Sequence, residues 1–519
     1  MIAGHYILYA PEPRNEYETL LVMKLLHRVR QMLRNLVWKI IFLTLLPGLY
    51  ASAVTTLDLP DMGDPTGNIL RPEFERRLGQ AFLNQIRRQA DIVDDPEVET
   101  YIQSIGYRLV AQSDNASQLF TFFVINDTNI NAFAAPGGIV GINTGTIINS
   151  ETESELAGVM AHEIAHVTQR HMARSVQMSQ SMSIPMMAAM LGAILLATQS
   201  SDAGVAAMSA VQGAVAQTQI NFTRSNEEEA DRVGMQLLER ADFNPRGMPS
   251  FFEKLQKNSR YTAQAPEFLR THPLTINRIA DSLARVDASI PFDSFHESNT
   301  YKLVRTKLIV RAFAEPKLAI DRYSTALQNG QFTDDAHIFK YGLALAYQEN
   351  RDFDMAAKLL DELLERDKNN TSYMLARAEV EVERGQFDDA IAIYARMDRL
   401  FPDYRPLILN YANTLILAKR PKDAIEVLED YNKYHTPDIK YYTYLAQAQA
   451  ESGNIIESSK ANAEVYFLTG ETHVAIQLLK DLIRRRNPVP DYYQEEKILS
   501  RISQLENELK IERNMKLTR

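Results

Sequence analysis

His162, Glu163 and His166 stand in an H-E-x-x-H spacing within the stretch Ser150 to His171, SETESELAGVMAHEIAHVTQRH. Four residues make slightly more than one helical turn. On a helix both imidazoles therefore lie on one face and can reach one tetrahedral zinc, while the carboxylate between them reaches a water on the same ion. Each residue type then has a task. Zinc lowers the pKa of the water it binds to about 7, Glu163 takes the proton, and the same carboxylate returns it to the leaving amine as a peptide bond is cut. The surroundings supply the helix: Leu156, Val159, Met160, Ile164 and Val167 recur at helical steps, and Ser150 with Glu153 three residues on reads as its capping box.

Two histidines and a base leave zinc short of a protein ligand. A metzincin-type third histidine fails, because Gln169 and Met172 stand where that pattern needs Gly and His. His171 lies about half a turn from His162 on a continuous helix, so it is expected to be a solvated surface residue. The missing ligand is expected in SNEEEADRVGMQLLER, a helix that Ser225 and Glu228 would open as a second capping box. Glu227 and Asp231 share one face of it. A carboxylate at Glu227 would complete His-His-Glu coordination and leave the fourth position for water, and Asp231 could orient a ligand histidine from behind. Glu228 and Glu229 compete for that place, and an acidic run at a helix start is equally a solvated terminus.

These helices need a scaffold, and 519 residues with 45% hydrophobic and 24% charged side chains suffice for two or three globular domains. A formal charge of −10 argues against nucleic acid as the partner. With no cysteine there is no disulfide, no Cys-zinc site and no thiol catalysis. Basic residues from Met23 to Lys39, the apolar run Ile40 to Leu46 and Ala51-Ser52-Ala53 have the layout of a cleavable signal peptide. Secretion would start the mature chain near Val54, with a flexible lead-in over 54–70. Residues 71–290 are expected to form an α+β domain, mostly helical with a small sheet. Helices are expected at Pro72 to Ala90 and Pro96 to Gln112, a strand at Leu119 to Val124, and a strand pair in Asn131 to Ile148 around Pro136-Gly137-Gly138. An extended peptide could add to the edge of that sheet. The Met-rich run Ser183 to Gln199 is too short for a confident membrane span; it suits a packed helix or a flap touching substrate or the membrane periphery.

The C-terminal half, 302–515, carries a period instead of chemistry. Ala356, Ala390 and Ala424 are spaced by 34 residues, as are Phe353 and Phe387, with Gly385, Tyr394 and Pro402 placed as in a tetratricopeptide repeat. An all-α solenoid with a concave protein-binding face follows, drifting from its period around Gly453 and Gly470 and closed by a capping helix from Tyr493 to Arg513.

HEIAH, the E-x-x-A-D of Glu227 to Asp231 and the N-A-F-A-A-P-G-G of Asn131 to Gly138 resemble the gluzincin zinc peptidases of the HtpX type, over roughly Arg71 to Val286. The resemblance selects Glu227 as third ligand and Asp231 as its supporting carboxylate. It also singles out His272, from an H-P-x-x-x-x-R-I motif here formed by His272, Pro273, Arg278 and Ile279. In that light His272 either donates to the tetrahedral oxyanion or fills the open zinc position and holds the enzyme inactive, and Arg278 assists the oxyanion or pairs with the acidic helix. With the signal peptide and repeats, the likeness extends to the periplasmic β-barrel assembly-enhancing peptidases of Gram-negative bacteria. It implies an endopeptidase that degrades misassembled or stalled outer-membrane proteins, helps their assembly in a chaperone-like way and contacts the barrel-assembly machinery through its repeats. The residues alone support a zinc-dependent hydrolase of extended peptides joined to a protein-binding solenoid. The competing reading is a secreted adaptor with a structural zinc.

Overall fold

A computed structural model describes residues 71–116, 118–178, 224–261, 266–286, 295, 298–330, 335–485 and 488–514. The expected signal peptide and lead-in and the Met-rich run Ser183 to Gln199 lie outside the described residues. Helix α1 (Pro72–Gln89) opens with Pro72 and acidic Glu73 and Glu75, closes with Arg87 and Arg88, and buries Leu78, Phe82, Leu83 and Ile86. Helix α2 (Pro96–Val110) is capped by Asp95, whose carboxylate accepts from the amides of Glu97 and Val98.

Strands β1 (Thr121–Ile125), β2 (Ala132–Ala135) and β3 (Ile139–Asn143) form a sheet of order β1-β3-β2. The central β3 pairs parallel to β1 and antiparallel to β2, and all five of its residues are buried. A 3-10 turn, Pro136–Gly138, joins β2 to β3 with Gly137 at φ 74°. A side chain on Gly79 would bring its Cβ within 2.0 Å of the Pro136 carbonyl oxygen, so α1 lies directly on this turn. The expected strand does not run on to Ile148: Thr144–Asn149 is a short helix, α3. Helix α4 (Glu153–Thr168) follows, then α5 (His171–Met178), α6 (Arg224–Arg240), α7 (Gly247–Tyr261), α8 (Glu267–Thr271) and α9 (Ile276–Arg285). One apolar core joins α2, the sheet, α4, α6 and α7.

That core includes Tyr301, Val304 and Leu308 of α10 (Asn299–Arg311), the first helix of the solenoid. Paired helices continue to Thr472–Arg484, and Tyr492–Asn514 packs Ile498, Ile502 and Leu505 on the last pair as a cap. Ala356, Ala390 and Ala424 are fully buried where helices approach. The period does not drift at Gly453. Left-handed residues end helices at Arg351 (φ 62°), Gly385 (φ 76°), Lys419 (φ 60°) and Gly453 (φ 77°), each 34 residues after the last. Composition hid this phase because Arg351 and Lys419 occupy turn positions where glycine is the usual signal.

The solenoid curves back onto the first domain. Gly470 abuts Asn84 of α1, Arg87 Nη1 donates to the Leu468 carbonyl at 2.9 Å, and Arg77 pairs with Glu508 at 2.7 Å. Lys307, buried, lies 2.8 Å from Asp95 Oδ2 and 2.9 Å from Glu97 Oε2. Among the described residues no helix is long and apolar enough to cross a membrane.

Candidate active site

The helix that carries H-E-x-x-H starts two residues later than its sequence suggests. Thr152 is the N-cap, accepting from the Glu155 amide at 3.1 Å, and Glu155 Oε2 accepts from the Glu151 amide at 2.7 Å. Ser150 instead closes α3, its hydroxyl donating to the Thr146 carbonyl at 2.8 Å. Every residue of α4 from Glu153 to His166 is buried, which places His162, Glu163 and His166 in the core. Ser225 is no cap either, since the described helix α6 already includes it, and Glu228 is exposed and paired with Arg224.

Helix α6 crosses α4 at Gly234, where a Cβ would lie 3.2 Å from the backbone of Ala161 and His162. That close approach carries Glu227 and Asp231, about two turns and one turn earlier, against the histidines. His162 Nε2 and His166 Nε2 are 3.0 Å apart, and each lies 3.5 Å from an oxygen of Glu227. Behind them Asp231 Oδ1 is 3.0 Å from His162 Nδ1. Arg278, at the start of α9, grips Asp231 with two bonds of 2.7 and 2.8 Å and reaches Glu227 Oε2 at 2.8 Å. Of the two readings of Arg278, pairing with the acidic helix is the one this geometry holds.

His272 is buried as well. Its Nδ1 is 3.1 Å from Glu227 Oε1 and 3.4 Å from His162 Nε2, its Nε2 is 3.4 Å from Glu163 Oε1, and the Phe268 ring stacks on it at 4.7 Å. Ligand atoms of His162, His166, Glu227 and His272 all lie within 4.8 Å of one another.

The expectation for His171 is overturned. It is fully buried, with Nδ1 2.8 Å from His166 Nδ1 and Nε2 3.1 Å from Glu229 Oε2. The half-turn argument assumed one continuous helix, whereas α4 ends at Thr168 and Arg170 adopts φ 53° before α5 begins. No glycine marks that turn, so the sequence gives no local sign of it.

Burial and charge set the protonation pattern. Burial would depress His162, but hydrogen bonding to Asp231 and Glu227 outweighs it and lifts the imidazole to about 9. His166 is pushed well below its ordinary range by burial, reinforced by His162, and burial takes His171 down to about 4 despite Glu229. Burial opposes ionisation of Glu227, yet the imidazoles of His272 and His162 hold it well below the carboxylate range. Glu163 is pushed up by burial, partly offset by His272. Its Oε1 is buried and accepts no hydrogen bond among the described residues. Two imidazole nitrogens and an ionised carboxylate converging in a buried cluster form a donor set suited to a divalent metal of the zinc type.

Residues 96–286 match peptidase family M48, and residues 341–405 and 381–448 match tetratricopeptide repeats. Fold and site together define a metalloendopeptidase carrying a helical-repeat solenoid. The chain is 37% identical over 422 residues to the putative beta-barrel assembly-enhancing protease of Vibrio cholerae, covering 81% of this chain and 87% of the relative. With the beta-barrel assembly-enhancing protease of Escherichia coli it shares 35% identity over 453 residues, 87% of this chain and 92% of the relative. The mitochondrial metalloendopeptidase OMA1 of Schizosaccharomyces pombe is 27% identical over 216 residues, 40% of this chain and 59% of the relative. The chain belongs to the family of beta-barrel assembly-enhancing proteases, within peptidase family M48.

Proposed function

We propose that this chain is a zinc-dependent endopeptidase of the Gram-negative periplasm. It would degrade misassembled or stalled outer-membrane proteins and aid the assembly of others, with the repeats docking on the barrel-assembly machinery. The observation that carries the peptidase chemistry is the convergence of His162, His166 and Glu227 beside a buried Glu163. The names of relatives matched over most of the chain support the envelope substrate and partner.

In this reading His162 Nε2, His166 Nε2 and Glu227 hold the ion, and zinc there supplies Lewis acidity and acidifies water. Asp231 fixes His162 through Nδ1, and Arg278 locks both carboxylates in place. Glu163 takes a proton from the attacking water and passes it to the amine as the C–N bond breaks. Strand β2 lies at the sheet edge beside α4, where the Ala134 amide already bonds Glu163, so an extended chain added there would run past the base. His272 Nδ1 stands 3.4 Å from His162 Nε2 and 3.1 Å from Glu227 Oε1, which favours the reading in which it is a fourth ligand that closes the resting site over the one in which it donates to the oxyanion.

The test compares wild type, Glu163→Gln and His272→Ala for zinc content and for proteolysis of an unfolded barrel protein. Zinc retained in all three, cleavage reduced by about 10²- to 10⁴-fold in Glu163→Gln and faster cleavage in His272→Ala are expected. Slower cleavage in His272→Ala would return His272 to the oxyanion role, and zinc with no cleavage by wild type or His272→Ala would favour an adaptor.

A further inference from the structure

Beyond Asp231, which stands behind His162, the second histidine of the motif has a support of its own. A neutral imidazole that ligates through Nε2 must carry its proton on Nδ1. His166 Nδ1 faces His171 Nδ1 at 2.8 Å, so a proton on the former requires a lone pair on the latter. His171 must then be protonated at Nε2, and that nitrogen faces Glu229 Oε2 at 3.1 Å. Glu229 is held in turn by Arg174. Bond direction is consistent at each step, from the ligand nitrogen outward to a carboxylate.

The backbone is bent to make this contact. Arg170, at φ 53°, takes a left-handed conformation that a side chain makes unfavourable by about 1 kcal/mol, and its guanidinium is pinned to Glu75 at 3.0 Å. Without that kink α4 would carry His171 away from His166. Strain of this kind persists where the surroundings enforce it.

We propose that His171, backed by Glu229, is a positioning residue that holds His166 in the Nε2-ligating tautomer and orientation and so sets the metal affinity of the site. This rests on the metal-site reading above. Its test uses an isosteric pair. In His171→Asn the Oδ1 takes the place of Nδ1 and still accepts from His166, whereas His171→Leu has nearly the same shape and no acceptor.

Zinc affinity of the full chain is measured by competition with a chromophoric chelator, and the cobalt-substituted proteins are compared by visible absorption. Loss of a partner to a ligand histidine weakens metal binding by about 10- to 100-fold. The expectation is such a loss, with a changed cobalt spectrum, in His171→Leu, and near-wild-type values in His171→Asn. Equal affinities for the two variants, whether both high or both low, would overturn the proposal, since a residue that only fills space does not distinguish an amide oxygen from a methyl group. Failure of wild type to bind zinc would refute the metal-site reading itself, and the two failures are thereby distinct.

Discussion

Replacing Arg278 by methionine removes the cation that two buried carboxylates share while keeping most of the side-chain volume. Asp231 receives two bonds from it, at 2.7 and 2.8 Å, and Glu227 one ion pair at 2.8 Å. All three residues are at most 5% exposed. Water cannot substitute for the guanidinium there, and breaking a buried pair from one side costs about 3–5 kcal/mol, because the abandoned charge remains in a low-dielectric site. In a domain of this size that corresponds to a fall in melting temperature of roughly 6–20 °C. The assay is thermal unfolding of the metal-free full chain, followed by the transition that zinc shifts. Adding Asp231→Asn to Arg278→Met removes one stranded charge and should recover about 1–3 kcal/mol. A single variant melting within roughly 2 °C of wild type, or a double variant losing the sum of both single effects, would refute the argument that Arg278 acts by neutralising this pair.

Burial, with Asp127 adding to it and Arg270 opposing, pushes Glu267 up to about 7 from an ordinary value of 4.5. A raised carboxyl favours the folded state while protonated, so its contribution is fully present below the ordinary value and is lost as pH rises through about 7. Glu267→Gln should therefore melt higher than wild type at pH 8 and lose that advantage near pH 4, checked by melting across that range. Gly79→Ala should destabilise the first domain by about 1–3 kcal/mol, because its Cβ would meet the Pro136 carbonyl oxygen at 2.0 Å and neither α1 nor the turn can yield freely; a melting temperature equal to wild type would contradict that contact.

Much of the catalytic helix is legible in the chain because the information is local. A four-residue separation fixes the face on which His162 and His166 lie, and apolar residues at helical steps fix the element that carries them. The same logic marks Glu227 and Asp231 as a pair on one face of α6. It misplaces both capping boxes, since Ser150 and Ser225 have the right type and spacing but the helix boundaries are set by packing: α3 takes Ser150 for its own end, and α6 already includes Ser225. The repeat period is read correctly from Ala356, Ala390 and Ala424, and missed at Gly453 only because turn residues vary while φ does not.

Residue types and spacings by themselves marked the H-E-x-x-H helix, the strand segments and the 34-residue solenoid, all of them patterns within a few turns, one strand or one repeat. The tertiary fold decided what brings distant groups together. Only the crossing of α4 and α6 at Gly234 sets Glu227 against the histidines, and only the turn after α9 begins lets Arg278 hold Asp231 and Glu227 at once. His171 shows the division most plainly. Its position on an ideal helix points it outward, and one left-handed residue, Arg170, turns it inward onto His166. A single backbone dihedral of that kind is chosen by burial and by the Glu75 ion pair across the domain, neither of which a local pattern records.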